Sequence, residues 1–306
     1  MSEFDEIVRG AITRLETSLA QALPHSAGAV EQWRRGLSGD APPESYFLHP
    51  LAFPSLRLPW WLAHTIAPAP IPALHLELAY STINGYYYIR LLDNVMDGHA
   101  TVELGLLPAL GFFHSQFQGA YRPLFPAGHP FWPVFETIWF TAADAVIQDA
   151  AQPQLDLARF EQFAAQKVSP AKIPLAAVCH ATGRWELFAP WAAFVDGFGR
   201  WHQFHNDMFD WHKDHTHDTP SYFLSQAGHR RRDGESLTGW VAREGLAWGI
   251  DLLHHWLADL QLTAGELSSP PLLAYLAQRQ AMLTEQQTEA EAALQLLARL
   301  SAAMPE

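Results

Sequence analysis

The sequence predicts an all-α protein organised as one domain. Apolar residues recur at spacings of three and four from end to end, no segment alternates apolar and polar residues as a strand would, and no Gly/Ser linker or short repeat divides the chain. Of 306 residues, 49% are hydrophobic and only 17% charged, a balance that suits a large core or a large apolar cavity. The 12 Trp and 18 Phe supply bulky, rigid walls for either.

Ile7, Ala11, Leu15, Leu19 and Ala22 share one face of an opening helix from Phe4 to Leu23, which Pro24 ends. A short helix from Glu31 to Leu37 carries Arg34 and Arg35. Ser38 to Pro72 is rich in proline and aromatic residues and predicts an irregular or broken-helix segment, so residues 1–70 form an N-terminal layer or a lid. From Ile71 to Met96, Leu74, Leu76, Leu78, Ile83, Tyr87 and Leu91 predict a long, largely buried helix, with Gly98 as its stop.

Helical register continues through Thr101 to Tyr121, through Pro133 to Gln148 and through Leu155 to Val168, the last carrying Arg159 and Lys167. Pro170 and Pro174 interrupt the path around Lys172. Helices follow over Leu175 to Ala181 and Pro190 to Lys213, the latter closed by Asp218-Thr219-Pro220. Gly228 to Glu235, with Arg230, Arg231 and Arg232, reads as a solvated surface turn. Helices over Leu237 to Leu262 and Pro271 to Met304 complete the chain.

Charge and cysteine content exclude several classes of function. A net charge of −13 opposes wrapping a nucleic-acid backbone, which needs concentrated Lys and Arg. A single cysteine, Cys179, rules out an intramolecular disulfide and suits a reducing cytoplasm. The opening residues are acidic with no apolar stretch directly behind them, so no secretory signal is expected. No apolar run approaches the roughly 20 residues of a membrane span. The expectation is a soluble cytoplasmic protein.

The most informative stretch is Gln203 to Asp214. Asn206, Asp210 and Asp214 recur every four residues, so on a helix their oxygens stack on one face about 6 Å apart. Like acceptors in a row repel, and a hard divalent cation such as Mg2+ removes the penalty. By itself the pattern also fits a solvated acidic face, the usual fate of spaced carboxylates. Asp93 and Asp97 form a second pair at the same spacing, near the end of their helix, and the same two readings apply.

Together these segments resemble the two metal-binding motifs of the class I isoprenoid (terpenoid) synthases. Asp93-Asn94-Val95-Met96-Asp97 is similar to the DxxxD form of the first motif, and the following Gly98 to its phytoene-synthase version. Asn206-Asp207-Met208-Phe209-Asp210-Trp211-His212-Lys213-Asp214 resembles the (N/D)Dxx(S/T)xx(K/R)(E/D) motif of bacterial terpene cyclases, with Asp210 in place of Ser or Thr. Through Gln203, Asp207 and Asp210 the segment is also similar to the FQxxDDxxD of chain-elongating prenyltransferases. Its QxxNxxxDxxxD spacing is that of squalene and phytoene synthases, and Ser221-Tyr222-Phe223-Leu224 sits where those enzymes carry a tyrosine-containing segment. Lys167-Val168-Ser169, 40 residues before Asp207, resembles the prenyltransferases' KTA segment. Two departures weigh against ordinary chain elongation: no GKR segment precedes the first motif, and no arginine follows it closely, since Arg34-Arg35-Gly36 lies elsewhere. The late Arg-Tyr pair of the terpene cyclases is also absent from the last helix.

The resemblance implies a helical bundle around a central apolar cavity, three Mg2+ ions (or Mn2+) and a prenyl diphosphate substrate of farnesyl to geranylgeranyl length. Asp93 and Asp97 would hold two ions and Asn206, Asp210 and Asp214 the third. Lys167, Lys213 and Arg90 would contact the diphosphate, although Arg90 equally suits a pair with Asp93, and Arg159 is a candidate sensor. Tyr86, Gly199 and Gln203 would face the cavity one turn deeper, Phe112, Phe113, Trp139 and Phe140 would form its walls, and Tyr222 would bind substrate. At helical spacing those rings fit a core as readily as a cavity. His202, His205, His212, His215 and His217 read as polar rim, one of them as a terminal base. The implied reaction is cyclisation of the prenyl diphosphate; head-to-head coupling, another prenyl transfer, and non-catalytic isoprenoid binding are the alternatives. The family often dimerises, so a homodimer is the implied assembly.

Overall fold

Prolines and polar caps set where the helices begin. A computed structural model describes residues 2–39, 41–67, 71–96, 104–150, 152 and 154–303, with side chains except at 104, 150 and 294–303. In order, the α-helices are α1 (Glu3–Ala22), α2 (Ala27–Ser38), α3 (Pro43–Leu48), α4 (Arg57–Ile66), α5 (Pro72–Met96), α6 (Leu107–Gly119), α7 (Phe131–Ala150) and α8 (Leu157–Lys167). They continue with α9 (Lys172–Thr182), α10 (Phe188–Phe209), α11 (Trp211–Thr216), α12 (Tyr222–Arg230), α13 (Leu237–Trp240), α14 (Leu246–Glu266) and α15 (Pro270–Ala303). No strand occurs among the described residues, so the fold is all-α. None of the helices described is long and apolar enough to cross a membrane.

The segment expected to be irregular or broken-helical holds two short helices, and its prolines act as helix starters. Pro43 opens α3 and Pro59 lies in the first turn of α4, where the missing N–H would have had no intrahelical partner. Ser2 caps α1 in a reciprocal box with Asp5. The long helix expected over Pro190 to Lys213 is interrupted at Asp210, whose φ of −95° and ψ of 7° leave the helical region. The helix expected over Leu237 to Leu262 contains a π-helical turn, Val241–Gly245, between α13 and α14.

The chain forms two compact units. One comprises Met1–Glu136 with Ala171–Phe188, the other Thr137–Pro170 with Ala189–Glu306. In the first, α1 buries Ile7, Val8, Ala11, Ile12, Leu15 and Leu19 against a core shared with Ile83, Tyr87 and Leu91 of α5. Burial of the Ile, Val and Leu side chains among these contributes roughly 1.5–3 kcal/mol each. Arg34 of α2 is fully buried there, paired with Glu31 at 2.9 Å and Glu16 at 3.3 Å, its guanidinium 5.0 Å from the Tyr87 ring centre.

In the second unit α10 is the central element. Trp201 Nε1 donates to the Leu253 carbonyl of α14 at 3.0 Å, and Arg279 of α15 lies over the Phe198 and Trp201 rings at 5.6 and 5.0 Å. Glycines allow two close approaches. A Cβ on Gly199 would lie 2.3 Å from Cγ2 of Val168, just beyond α8, and one on Gly249 of α14 would lie 2.5 Å from Sδ of Met208.

Candidate functional site

The end of α10 and the whole of α11 carry the strongest candidate. The backbone N–H of Asp210 donates to the Asn206 carbonyl at 2.8 Å, and that of Asp214 to the Asp210 carbonyl at 3.0 Å. These two i→i+4 bonds bridge the bend at Asp210, so Asn206, Asp210 and Asp214 stay on successive turns. Asn206 and Asp210 are exposed and Asp214 is half-buried. Burial first, and then the neighbouring charge of Asp210, push the Asp214 carboxyl above the usual carboxylate range, while Lys213 and His217 oppose the shift. Lys213 is exposed. Past α11 the Thr219 N–H returns to the Asp214 carbonyl at 2.9 Å and the Asp218 N–H to that of His215 at 3.4 Å, with Asp218 left-handed at φ 52°. This paired closure fixes the end of the acidic segment.

Asp207, next to Asn206, does a different job. It is 5% exposed, and its Oδ1 accepts Nε2 of Gln203 at 2.8 Å while its Oδ2 accepts the Tyr222 N–H at 3.1 Å. Burial pushes its carboxyl up to about 7, and the charge of Lys167 is among the groups pulling it down. Lys167 ends α8 and pairs with Asp149 of α7, Nζ to Oδ2 at 2.7 Å. Tyr222 is buried and stacked on Phe160, with ring centres 4.7 Å apart. Gly199 sits in the close approach to Val168, Trp139 is buried, and Phe140 is 65% exposed.

Two of the histidines contribute to helix packing. Nδ1 of His202 lies 3.1 Å from Nη2 of Arg279, and Nε2 of His205 lies 2.9 Å from Oε1 of Gln286, both partners on α15. Burial, followed by the Arg279 charge, lowers His202 to about 3, which keeps the ring neutral as an acceptor for the arginine. His212, His215 and His217 are exposed. Beside Asp214 lies an open groove of about 310 Å3 between α12, the segment through Pro220, and Gln154. In the sequence Asp207 is a motif position outside the implied ligand set, and Asp149 and the groove carry no role; the one signal for its buried place is a carboxylate within the stripe of Trp201, Phe204 and Met208.

The first acidic segment belongs to the other unit. Asp93 lies on the last turn of α5, half-buried, and Asp97 falls outside the described residues. Arg90 is exposed, and its charge acts on Tyr86. The Tyr86 hydroxyl shares a hydrogen bond with that of Tyr46, and its ring packs against Phe47 and Tyr87. Burial, more than any other cause, pushes this phenol above its ordinary range. Phe112 and Phe113 are buried in the core of this unit, Phe113 beside Trp33 and Tyr87.

The donor chemistry of Asn206, Asp210 and Asp214 fits Mg2+. All three offer hard oxygen donors, and the exposure of two leaves coordination positions for water or phosphate oxygens. Among the described residues no group of three or more His, Cys, Asp or Glu side chains is arranged to hold a metal. Mg2+ rarely uses an all-protein cage, and one or two carboxylates completed by substrate phosphates are the commoner arrangement. No protein-family model matches the chain, and no curated protein matches it.

Proposed function

We propose that this protein is a Mg2+-dependent class I terpene synthase that ionises and cyclises a prenyl diphosphate, of farnesyl to geranylgeranyl length, and releases diphosphate. The observation that carries the reading is the Asn206, Asp210 and Asp214 face, held in step by backbone hydrogen bonds across the bend. An amide and two carboxylates on successive turns, with the Asp210 charge acting on Asp214, form a face that a divalent cation stabilises. Mg2+ bound there would supply Lewis-acid stabilisation of the leaving diphosphate.

The chain's own residues divide the remaining work. Lys167 and Lys213 bring positive charge to this acidic neighbourhood, where a departing diphosphate needs donors. The Lys167 pair with Asp149 holds the ammonium ready, and the lysine would exchange that partner for a phosphate oxygen. Gln203 and the Tyr222 N–H hold Asp207, which fixes α12 beside the metal-binding face. Asp93, Asp97 and Arg90 enter the reading on the sequence resemblance alone. A homodimer and a cytoplasmic location belong to the proposal on the same footing.

Head-to-head prenyl coupling is the second reading, favoured by Asp210 where a cyclase carries Ser or Thr. Incubation with Mg2+ and geranyl, farnesyl or geranylgeranyl diphosphate separately distinguishes the readings. A hydrocarbon or alcohol of substrate length supports cyclisation, and a product of doubled length supports coupling. If no substrate is consumed and no diphosphate is released, both enzymatic readings fail and a non-catalytic isoprenoid-binding role takes their place.

A further inference from the structure

Tyr46 of α3 and Tyr86 of α5 meet at their hydroxyls, which share a hydrogen bond. Two phenols meeting head-on across such a bond would hold their ring centres about 8 Å apart. Here the centres are 5.7 Å apart with 59° between the planes, so the rings lean together at the hydroxyl end. That brings the ring edges beside the two oxygens, the ortho carbons, toward one another. Phe47 frames the pair, its ring edge-on to Tyr46 at 5.5 Å and to Tyr86 at 5.3 Å.

The two helices differ in how firmly they are held. α5 buries eleven residues, whereas α3 is six residues long and buries none. Apart from its aromatic contacts, α3 is tied by the Arg9–Glu44 pair at 3.4 Å, a surface interaction that contributes little. With a single cysteine in the chain, no intramolecular disulfide can secure it. Tyr46 and Tyr86 are both half-buried, open to small solutes yet confined by their neighbours, and neither carries a step of the proposed reaction.

We propose that Tyr46 and Tyr86 form an oxidative cross-linking site, at which a one-electron oxidant joins the two rings carbon to carbon and staples α3 to α5. Two equivalents of oxidant each remove one electron, and each phenol gives up its hydroxyl proton to water. The shared hydrogen bond lets a radical formed on Tyr46 pass to Tyr86 as the bridging hydrogen moves across, which leaves Tyr46 to meet the second equivalent. The two phenoxyl radicals then couple at their ortho carbons, and the hydrogens on those carbons move to the oxygens and restore both hydroxyls. The chain loses two electrons and two protons in all. The new bond spans 40 residues, and a cross-link of that span restricts the unfolded chain. The site lies apart from the Asn206, Asp210 and Asp214 face and stands whether or not the metal-dependent reading does.

The test is illumination of the full chain, at low concentration, with a ruthenium(II) tris-bipyridyl complex and persulfate, which together generate a one-electron oxidant. Wild type, Tyr46→Phe, Tyr86→Phe and, as a control, Tyr88→Phe are compared. Wild type is expected to give a monomer lighter by two hydrogens, with dityrosine fluorescence, a peptide map that joins Tyr46 to Tyr86, and a raised thermal midpoint. Tyr88→Phe should behave in the same way, and the monomer's fluorescence and mass change should be lost in Tyr46→Phe and Tyr86→Phe. The wild-type peptide map decides the matter even if a variant folds poorly. A monomer of unchanged mass, a cross-link between other tyrosines, or fluorescence confined to covalent dimers would overturn the assignment.

Discussion

Asp207 accepts the backbone N–H of Tyr222 at 3.1 Å, so a carboxylate inside the candidate motif is also the anchor for the start of α12. Asp207→Ala leaves that N–H and the Gln203 amide without their acceptor. Each buried unsatisfied donor costs about 1–3 kcal/mol, so thermal unfolding of the variant should come several degrees earlier. An unchanged midpoint would show that the cap carries no stability.

The same carboxyl sets a pH dependence. Its folded value is raised to about 7 against an ordinary 3.8, so between these limits the folded chain binds more protons than the unfolded one. Its contribution to stability is therefore full below about pH 3.8 and is lost as pH rises through about 7. In metal-free buffer, Asp207→Asn should remove this downward slope from the curve of unfolding free energy against pH, at the cost of one of the two accepted hydrogen bonds. A difference curve that is flat from pH 4 to 7 would refute it.

His75 has the opposite sign. It is 3% exposed against the Trp60 ring, and burial, aided by His64, lowers it to about 4. The unfolded chain binds the extra proton between about pH 6.5 and 4, so stability from this group is present above about 6.5 and is lost as pH falls through 4. His75→Phe should make the protein less sensitive to acid in that window. Equal acid midpoints for variant and parent would count against it.

Gly199→Ala tests the crossing of α8 and α10. A Cβ there would lie 2.3 Å from Val168 Cγ2 and 3.2 Å from the Ala164 carbonyl oxygen. Overpacking of this kind costs about 1–3 kcal/mol. Because Val168 is the main obstacle, Val168→Ala in the same chain should return part of the loss, measurable as a coupling energy in denaturant titrations.

Asn206→Ala and Asp93→Ala test the two acidic segments separately. Under the proposed function each is expected to lower turnover of a prenyl diphosphate by about 100-fold or more, the scale on which loss of transition-state charge stabilisation is felt. Helical circular dichroism should be unchanged. Activity retained in either variant removes that residue from the ligand set.

The helices were legible because their cores repeat: Ile7, Ala11, Leu15 and Leu19 are the buried face of α1 as the spacing predicts. The proline-rich segment is a broken-helix one, and its prolines also open helices, as at Pro43 and Pro59. The bend at Asp210 is invisible to periodicity, since Asn206, Asp210 and Asp214 keep the same spacing whether or not the helix breaks. Aromatic rings were ambiguous for a related reason: Phe113 is fully buried and Phe140 is 65% exposed, yet both stand in helical register. The sequence places Gly199 one turn below the motif, but the partner that requires a glycine there, Val168, is distant in sequence. Asp207 and the pair of Tyr46 and Tyr86 owe their surroundings to contacts that only the folded chain creates.

The π-helical turn Val241–Gly245 acts as a phase correction between two tryptophans. In an uninterrupted α-helix, residues eight apart are about 80° out of line. Trp240 and Trp248 nevertheless both meet the Phe223 ring of α12, with centres 5.0 and 6.1 Å away. The wider turn absorbs the surplus rotation, and the next residue, Gly249, is thereby presented to Met208 of α10. Deleting one residue from that turn would rotate everything downstream, so the alignment of α14 on α10 depends on a single extra amino acid.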